Sequence, residues 1–139
     1  MDASLYATVM AILDHVTLVV SDYARSKAFY EKALAPLGIA RIMEFGQACG
    51  FGRDGKPEFW LGTGPTSFQR VEQLQIITPM HVAFAAASRS DVEGFHAAAL
   101  AAGGRDFGAP GVRAHYHPRY YGAFVLDPDG HDIEAVFHG

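Results

Sequence analysis

The sequence predicts an α+β protein made of two tandem βαβββ modules whose strands form a cupped mixed sheet around a central cavity. Three observations predict this fold: an ungapped internal repeat, the order strand–helix–glycine in each copy, and a series of strand signals after each helix. The first module is predicted to span about residues 12–62 and the second about residues 80–137, within a single domain, 1–139. Residues 63–79 join them, either as a cover over a site or as a tether.

The internal repeat aligns residues 15–38, HVTLVVSDYARSKAFYEKALAPLG, with residues 81–104, HVAFAAASRSDVEGFHAAALAAGG. The offset is constant, so no insertion separates the two copies. Identical residues recur at equivalent positions along the whole stretch, as in the pairs His15/His81, Val16/Val82, Phe29/Phe95, Leu34/Leu100 and Gly38/Gly104.

Each copy begins with a strand and a capped helix. The first strand, about 13–20, is followed by a helix that starts near Ser21 or Asp22, either of which can cap it. The second strand, about 80–86, precedes a helix for which Ser90 and Glu93 predict a capping box. Gly38 and Gly103-Gly104 mark the helix ends.

The strands after each helix show apolar and β-branched runs bounded by turn residues. The turn Asp127-Pro128-Asp129-Gly130 joins the last two of them. The predicted strands are 39–46, 48–52 and 58–62 in the first module, and a weak strand at 105–107, then 120–127 and 131–137, in the second.

Composition excludes several classes of function. Half of the 139 residues are hydrophobic and the formal net charge is −4, so a sizeable core is expected and a nucleic-acid partner is not. Cys49 is the only cysteine, which rules out an intrachain disulfide and a cysteine-based zinc site. The N-terminal MDASLYATVMAIL lacks a positive segment, so an extension or a lead-in to the first strand is expected rather than a signal peptide. With no stretch of apolar residues long enough for a membrane span, we expect a soluble cytoplasmic protein.

Side-chain alternation points to a metal site. The apolar row of each first strand belongs against the helix, which leaves His15 and His81 on the opposite faces, and Glu134 lies on the corresponding face of the last strand. A single strand histidine is most often a core residue. Two repeat-equivalent histidines and a carboxylate, however, form the ligand set of an open divalent-metal site if those faces meet.

At these residues the chain resembles the vicinal oxygen chelate superfamily, which includes glyoxalase I, extradiol dioxygenases, and fosfomycin- and bleomycin-resistance proteins. The matching stretches are LDHVTLVVSDYARSKAFYEKALAPLG, MHVAF and FVLDPDGHDIEAV. The resemblance implies a homodimer that holds one divalent ion (Fe, Mn, Zn or Ni) with His15, His81 and Glu134. It also implies a lyase, isomerase or dioxygenase acting on a small substrate that chelates the ion through adjacent oxygens, with Glu134 able to move a proton.

The resemblance has one departure. Glyoxalase I enzymes have a fourth ligand on the last strand of the first module, which here is PEFWLG. Depending on the alignment, Trp60 or Phe59 occupies that position, and neither binds a metal. A three-ligand site is therefore expected, with Trp60 as a wall of the substrate pocket.

The segment AHYHPRYYG, residues 114–122, is the most unusual stretch. One interpretation makes it a pocket wall, with His117 as a catalytic proton carrier and with His115, Arg119 and Tyr121 as substrate-binding residues. Another makes it an exposed loop, and a third makes His115 and His117 a rival metal pair. His131, after the turn, is expected to point to solvent.

A different class of function also fits the sequence. A non-catalytic small-molecule-binding or resistance protein of the same fold would use His15 and His81 as polar pocket residues without a metal.

Overall fold

A computed structural model describes residues 11–139 of the chain; the N-terminal extension proposed from the sequence lies largely outside these residues. The predicted class is confirmed, because the structure is an α+β fold of two tandem modules. None of the helices described is long and apolar enough to cross a membrane. The elements in chain order are β1 (Val16–Val19), α1 (Tyr23–Ala33), β2 (Ala40–Phe45), β3 (Ala48–Arg53), β4 (Lys56–Gly62), β5 (His81–Ala85), α2 (Arg89–Ala101), β6 (Arg105–Val112), β7 (Tyr120–Leu126) and β8 (Asp132–His138), with short 3-10 helices at Ala35–Leu37 and Val71–Leu74.

Each module forms its own four-stranded mixed sheet. The orders are β1-β4-β3-β2 and β5-β8-β7-β6, with a parallel pair between the first and last strands of each module. The remaining pairs are antiparallel. The repeat seen in the sequence is therefore a repeat of topology as well.

Two local details differ from the sequence prediction. Asp22 caps α1 as expected, but the cap of α2 is Ser88 rather than Ser90. The backbone of Ser88 is extended and its hydroxyl accepts a hydrogen bond from the amide of Asp91, whereas Ser90 lies inside the first turn. The weak second strand of the second module, β6, also extends further than predicted, to Val112, because pairing with β7 sustains it through its glycines.

The two modules share one hydrophobic core. The helix-facing sides of both sheets contribute to it, and Phe59 of β4 meets Phe84 of β5 edge to face with ring centroids 5.0 Å apart. The helices also contact each other across this core. The side of each sheet turned away from the helices is here called its open face.

His131 joins the modules and is not the solvent-facing residue expected from its place after the turn. It is 1% exposed. Its Nδ1 accepts a hydrogen bond from the backbone amide of Met80 at 2.9 Å. The other ring nitrogen, Nε2, therefore carries the proton and donates a hydrogen bond to the carbonyl of Val19 at 2.9 Å. One imidazole therefore connects the first strand of one module to the lead-in of the other.

The turn before His131 is fixed to the first helix. The buried Asp127 carboxylate accepts hydrogen bonds from the backbone amides of Asp129 and His131. It also accepts a hydrogen bond from the phenol of Tyr30, at 2.5 Å. Burial and the neighbouring Asp127 carboxylate raise the pKa of Tyr30 well above its ordinary value.

We expect His131→Ala to lower the free energy of unfolding by about 2–4 kcal/mol, because the buried imidazole leaves a void and two backbone groups lose their partner. Urea denaturation measures the loss. The matched control is His96→Ala, which removes a hydrogen bond to the exposed Asp106 and should cost about 1 kcal/mol or less. Equal losses in the two variants would contradict the role of His131 as a joint.

The Tyr30 phenol should make stability sensitive to alkaline pH. Because its pKa is raised in the folded state, the stabilisation is complete below about pH 10, the unfolded value, and is lost as the pH rises further. The stability difference between wild type and Tyr30→Phe should therefore shrink between about pH 9 and pH 11, as measured by urea denaturation. Tyr116→Phe, at an exposed tyrosine, is the control, and a constant Tyr30→Phe difference would refute the expectation.

Candidate functional site

A hydrogen-bonded cluster of three side chains lies on the open face of the second sheet. Glu134 is at the centre of the cluster, on the inner strand β8, and its side chain is only 2% exposed. Its Oε1 is 2.9 Å from Nε2 of His81, on the parallel neighbour β5. Its Oε2 accepts from the phenol of Tyr120, on the antiparallel neighbour β7. Strand alternation places all three on one face, since the register pairs Ala83 and Phe124 with Glu134.

The surroundings of Glu134 are shaped for this cluster. A Cβ atom at Gly122 would lie 3.2 Å from Oε2 of Glu134 and 3.1 Å from the ring of Tyr120, so the glycine leaves room for both. Burial and the adjacent carboxylate raise the pKa of the Tyr120 phenol, which therefore stays a proton donor near neutral pH. Glu134 thus has both oxygens engaged and one partly exposed imidazole beside it.

Asp132 is a second carboxylate at this site. It precedes Glu134 by two residues, on the same face, and its Oδ2 lies 4.0 Å from Nε2 of His81. Its Oδ1 is buried and has no hydrogen-bond partner among the described residues. Desolvation raises the pKa of this carboxyl group. The imidazole of His81 therefore faces two carboxylates rather than one.

The spacing of His81 and Glu134 suits a shared metal ion. Two ligand atoms that each lie about 2.1 Å from one ion, at about 90° to each other, are about 3 Å apart. The observed 2.9 Å matches that separation. The hydrogen bond from Tyr120 to the second carboxylate oxygen is the kind of outer contact that orients a ligating carboxylate.

His15 does not join this pair within one chain. Its side chain is 55% exposed and its Nδ1 bonds to Asp14 at 2.7 Å, in a group that also contains Lys56. Within residues 11–139, no three histidine, cysteine, aspartate or glutamate residues are grouped so that they could hold a metal. The three-ligand set predicted from the sequence is thus present as a pair plus a separate histidine.

Trp60 occupies the place in the first sheet that Glu134 holds in the second. The register pairs Thr17 with Trp60 and its repeat equivalent Ala83 with Glu134, so the structure selects Trp60 rather than Phe59 as the counterpart. The indole lies against β3, where a Cβ at Gly50 would approach it within 2.8 Å, and it stacks on the largely exposed Phe45 with centroids 6.2 Å apart. This arrangement forms an aromatic wall on the first open face.

The segment 114–122 is linked to the cluster through Tyr120. His117 donates no hydrogen bond to Glu134; its Nε2 is 2.7 Å from Nδ1 of His138, and its ring packs edge to face on Tyr120. His115 packs on Tyr116, and Arg119 donates to the carbonyl of Gly139 at 2.7 Å. His117 therefore pairs with His138 rather than with His115.

Tyr120, rather than Tyr121, is the tyrosine that meets Glu134. Tyr121 is 8% exposed on the helix-facing side, where its phenol donates to Glu93 at 2.9 Å. Sequence reasoning also missed Asp132 as a site residue. Alternation could have found both, because the apolar rows Ala123/Val125 of β7 and Ile133/Ala135 of β8 leave the even-numbered residues to the open face.

Comparisons with known proteins agree with this fold. Residues 12–135 match the family model described as Glyoxalase/Bleomycin resistance protein/Dioxygenase superfamily. A glyoxalase/bleomycin resistance protein from Albidiferax ferrireducens T118 is 29% identical, with a TM-score of 0.76 over 93% of this chain and 100% of that one. No match was found among curated proteins.

Two further solved structures show the same fold at lower identity. A glyoxalase/bleomycin resistance protein/dioxygenase family enzyme from Burkholderia phytofirmans PsJN is 21% identical, with a TM-score of 0.71 over 93% of this chain and 100% of that one. The oxidase ChaP-H1 is 19% identical, with a TM-score of 0.65 over 94% of this chain and 98% of that one. Because the family model spans nearly the whole chain, this protein belongs to the glyoxalase/bleomycin resistance protein/dioxygenase superfamily.

Proposed function

We propose that the protein is a divalent-metal-dependent enzyme in which His81 and Glu134 supply two of the metal ligands. The observation that carries the proposal is the 2.9 Å approach of a partly exposed imidazole to a buried carboxylate on an open sheet face. A buried carboxylate is costly unless it is paired, and positioned carboxylate–imidazole pairs concentrate at functional sites.

The third ligand, His15, would come from a second copy of the chain. In one chain His15 lies in a separate group with Asp14 and Lys56, and residues 11–139 contain no group of three possible metal ligands. A two-fold dimer can lay the first sheet of one copy against the second sheet of its partner, and it then forms two equivalent sites. This pairing would also cover Phe45, an exposed aromatic residue on the first open face.

The residues of the chain have separate roles in this proposal. Glu134 brings negative charge to the ion, and Tyr120 holds its second oxygen in place. Glu134 is also the group able to accept a proton from a bound substrate, and Asp132 is the nearest additional carboxylate. Trp60, on the open face of the first sheet, would form an apolar wall.

The substrate class follows from the open coordination positions. A bound divalent ion supplies a Lewis acid that stabilises negative charge developing on a substrate oxygen. If the protein supplies three ligands, the ion keeps open positions at which two adjacent oxygens of a small substrate can chelate it. A lyase or isomerase reaction and a dioxygenase reaction both meet this description, with Fe, Mn, Zn or Ni as the ion.

We expect tag-free wild-type protein to contain close to one divalent ion per chain, and His81→Ala and Glu134→Ala to lose it, since each removes a ligand. Elemental analysis after loading and desalting measures the content. His96→Ala is the matched control, because His96 bonds to Asp106 on the helix side and should leave the content unchanged. A wild type that stays metal-free with every ion would refute the enzyme proposal and favour a metal-independent binding protein.

Mixing two defective variants tests the origin of the third ligand. His15→Ala and His81→Ala should each lack metal alone. In a mixed dimer, however, the His15 of one chain meets the intact His81 and Glu134 of its partner. Random exchange of subunits should therefore restore about a quarter of the wild-type metal content, because half of the dimers are mixed and each regains one of two sites.

Unfolding and refolding the two variants together, followed by elemental analysis, gives this measurement. His15→Ala mixed with Glu134→Ala should show the same recovery. His81→Ala mixed with Glu134→Ala is the negative control, because both variants lack a ligand from the same sheet. No recovery in the first two mixtures would contradict a site shared between chains.

A further inference from the structure

A cavity of about 310 Å³ lies on the open face of the first sheet, away from the His81–Glu134 pair. Its floor includes Thr17 and Val19 of β1 and Ala48 of β3. Its roof is the start of the segment that links the modules, residues 63–69. A second cavity of about 300 Å³ continues along the same strand under residues 73–78, and Phe68 and Gln69 line both. The linker therefore overlies the part of this face near Thr17 and Val19 and leaves space beneath it, whereas Phe45 and Trp60 line neither cavity.

The lining of the first cavity is uncharged. It contains threonine hydroxyls, two glutamine amides and apolar groups, with no aspartate, glutamate, lysine, arginine or histidine among the described residues that line it. An anion or cation entering this space would lose water without gaining a counter-charge, which is unfavourable. The electrostatics therefore select a neutral ligand.

Two glutamines line the cavity, and the contacts of their side-chain oxygens indicate which hydrogen-bonding groups remain free. Oε1 of Gln69 accepts from the backbone amide of Thr66 at 3.0 Å and from its hydroxyl at 3.1 Å. A backbone amide can only donate, so this contact fixes the amide orientation and leaves the NH₂ group of Gln69 to donate elsewhere. Oε1 of Gln47 is likewise near the hydroxyl of Thr63, at 3.4 Å. A ligand with a carbonyl acceptor matches these donors.

The remaining walls suit a flat apolar body. Phe68 is 81% exposed in the roof, although it is a large aromatic residue that lines both cavities. Val19, Ala48 and Pro65 supply apolar surface around it. The volume is at the small end of the range for ligand pockets, which corresponds to a molecule of one or two fused rings.

From these observations we infer that the covered face of the first sheet is a binding site for a small, neutral, aromatic carbonyl compound, which Gln69 and Phe68 hold. The inference goes beyond the proposed function and does not require the metal. If two copies pair as proposed above, this face meets the partner's His81 and Glu134, and the substrate class of the enzyme becomes neutral aromatic carbonyl compounds.

Two probes of nearly the same shape test the charge preference. 2-Naphthamide is neutral and 2-naphthoate is its anionic counterpart. In NMR titrations of the ¹⁵N-labelled full chain, 2-naphthamide should shift the amide signals of Thr17, Gln47 and Gln69, and it should bind at least about tenfold more tightly than 2-naphthoate. Equal or tighter binding of 2-naphthoate would overturn the neutral class, and the absence of any binding of 2-naphthamide up to its solubility would overturn the site.

Matched variants test the location. Gln69→Leu should weaken 2-naphthamide binding about tenfold through the lost donor. Gln73→Leu is the control, because Gln73 makes the same kind of contact with the amide of Arg70, at 2.8 Å, but lines only the second cavity. Ala48→Leu fills the first cavity from the strand side and should also weaken binding about tenfold. Binding that Gln69→Leu and Ala48→Leu leave unchanged, or that Gln73→Leu weakens equally, would contradict the inference.

The metal proposal and this inference can fail separately. Wild-type protein stripped of metal with EDTA should still bind 2-naphthamide. Metal content that depends on His81, together with no binding of 2-naphthamide, would overturn only the inference. Binding of 2-naphthamide, together with metal content that does not depend on His81, would overturn only the metal proposal.

Discussion

The packing of both sheets onto one shared core is the constraint on which the rest of the structure depends. Leu18, Phe59 and Phe84 are all buried on helix-facing sides, and the edge-to-face contact of the two phenylalanines joins the modules directly. Non-polar burial of this kind is the main stabilising contribution in a domain of this size. Once those sides are covered by each other and by the helices, the opposite sides of the sheets are left for solvent, ligands or a second chain.

The polar contacts between the modules make this arrangement specific. Hydrophobic burial alone has little directional preference, whereas the bonds of His131 to Val19 and Met80 require a particular distance and orientation. Asp127 adds a bond to Tyr30 and thereby fixes the last turn to the first helix. These buried groups are fully partnered, which is the condition under which buried polarity defines a unique packing.

The two modules have the same topology but different chemistry on their open faces. At equivalent registers the first sheet carries Trp60 and the second carries Glu134. The first face carries an aromatic wall and a cavity with an uncharged lining beneath the linker, and the second carries a carboxylate with imidazole and phenol partners. A recognition surface and a reactive surface on separate sheets would complement each other across a two-fold axis.

The sequence by itself determined the repeat, the α+β class, the approximate strands and the face on which His81 and Glu134 lie. These properties depend on local periodicity and on a constant offset, which a single chain displays directly. The closeness of His81 and Glu134 also follows from the sequence, because the first and last strands of a βαβββ module pair in parallel.

The tertiary structure decided which surfaces meet. Alternation shows that one side of a strand is covered but not by what, so the separation of His15 from His81 and the burial of His131 could not be inferred from the sequence. The cap at Ser88 depends on where the helix begins, and its alternative, Ser90, is only two residues away. The pairing of Tyr120 with Glu134 depends on which residues of β7 face the open side, and its alternative, Tyr121, is only one residue away. The linker was equally compatible with a cover and a tether, and only its packing over Thr17 and Val19 shows that it is a cover, because that contact is made between segments distant in the chain.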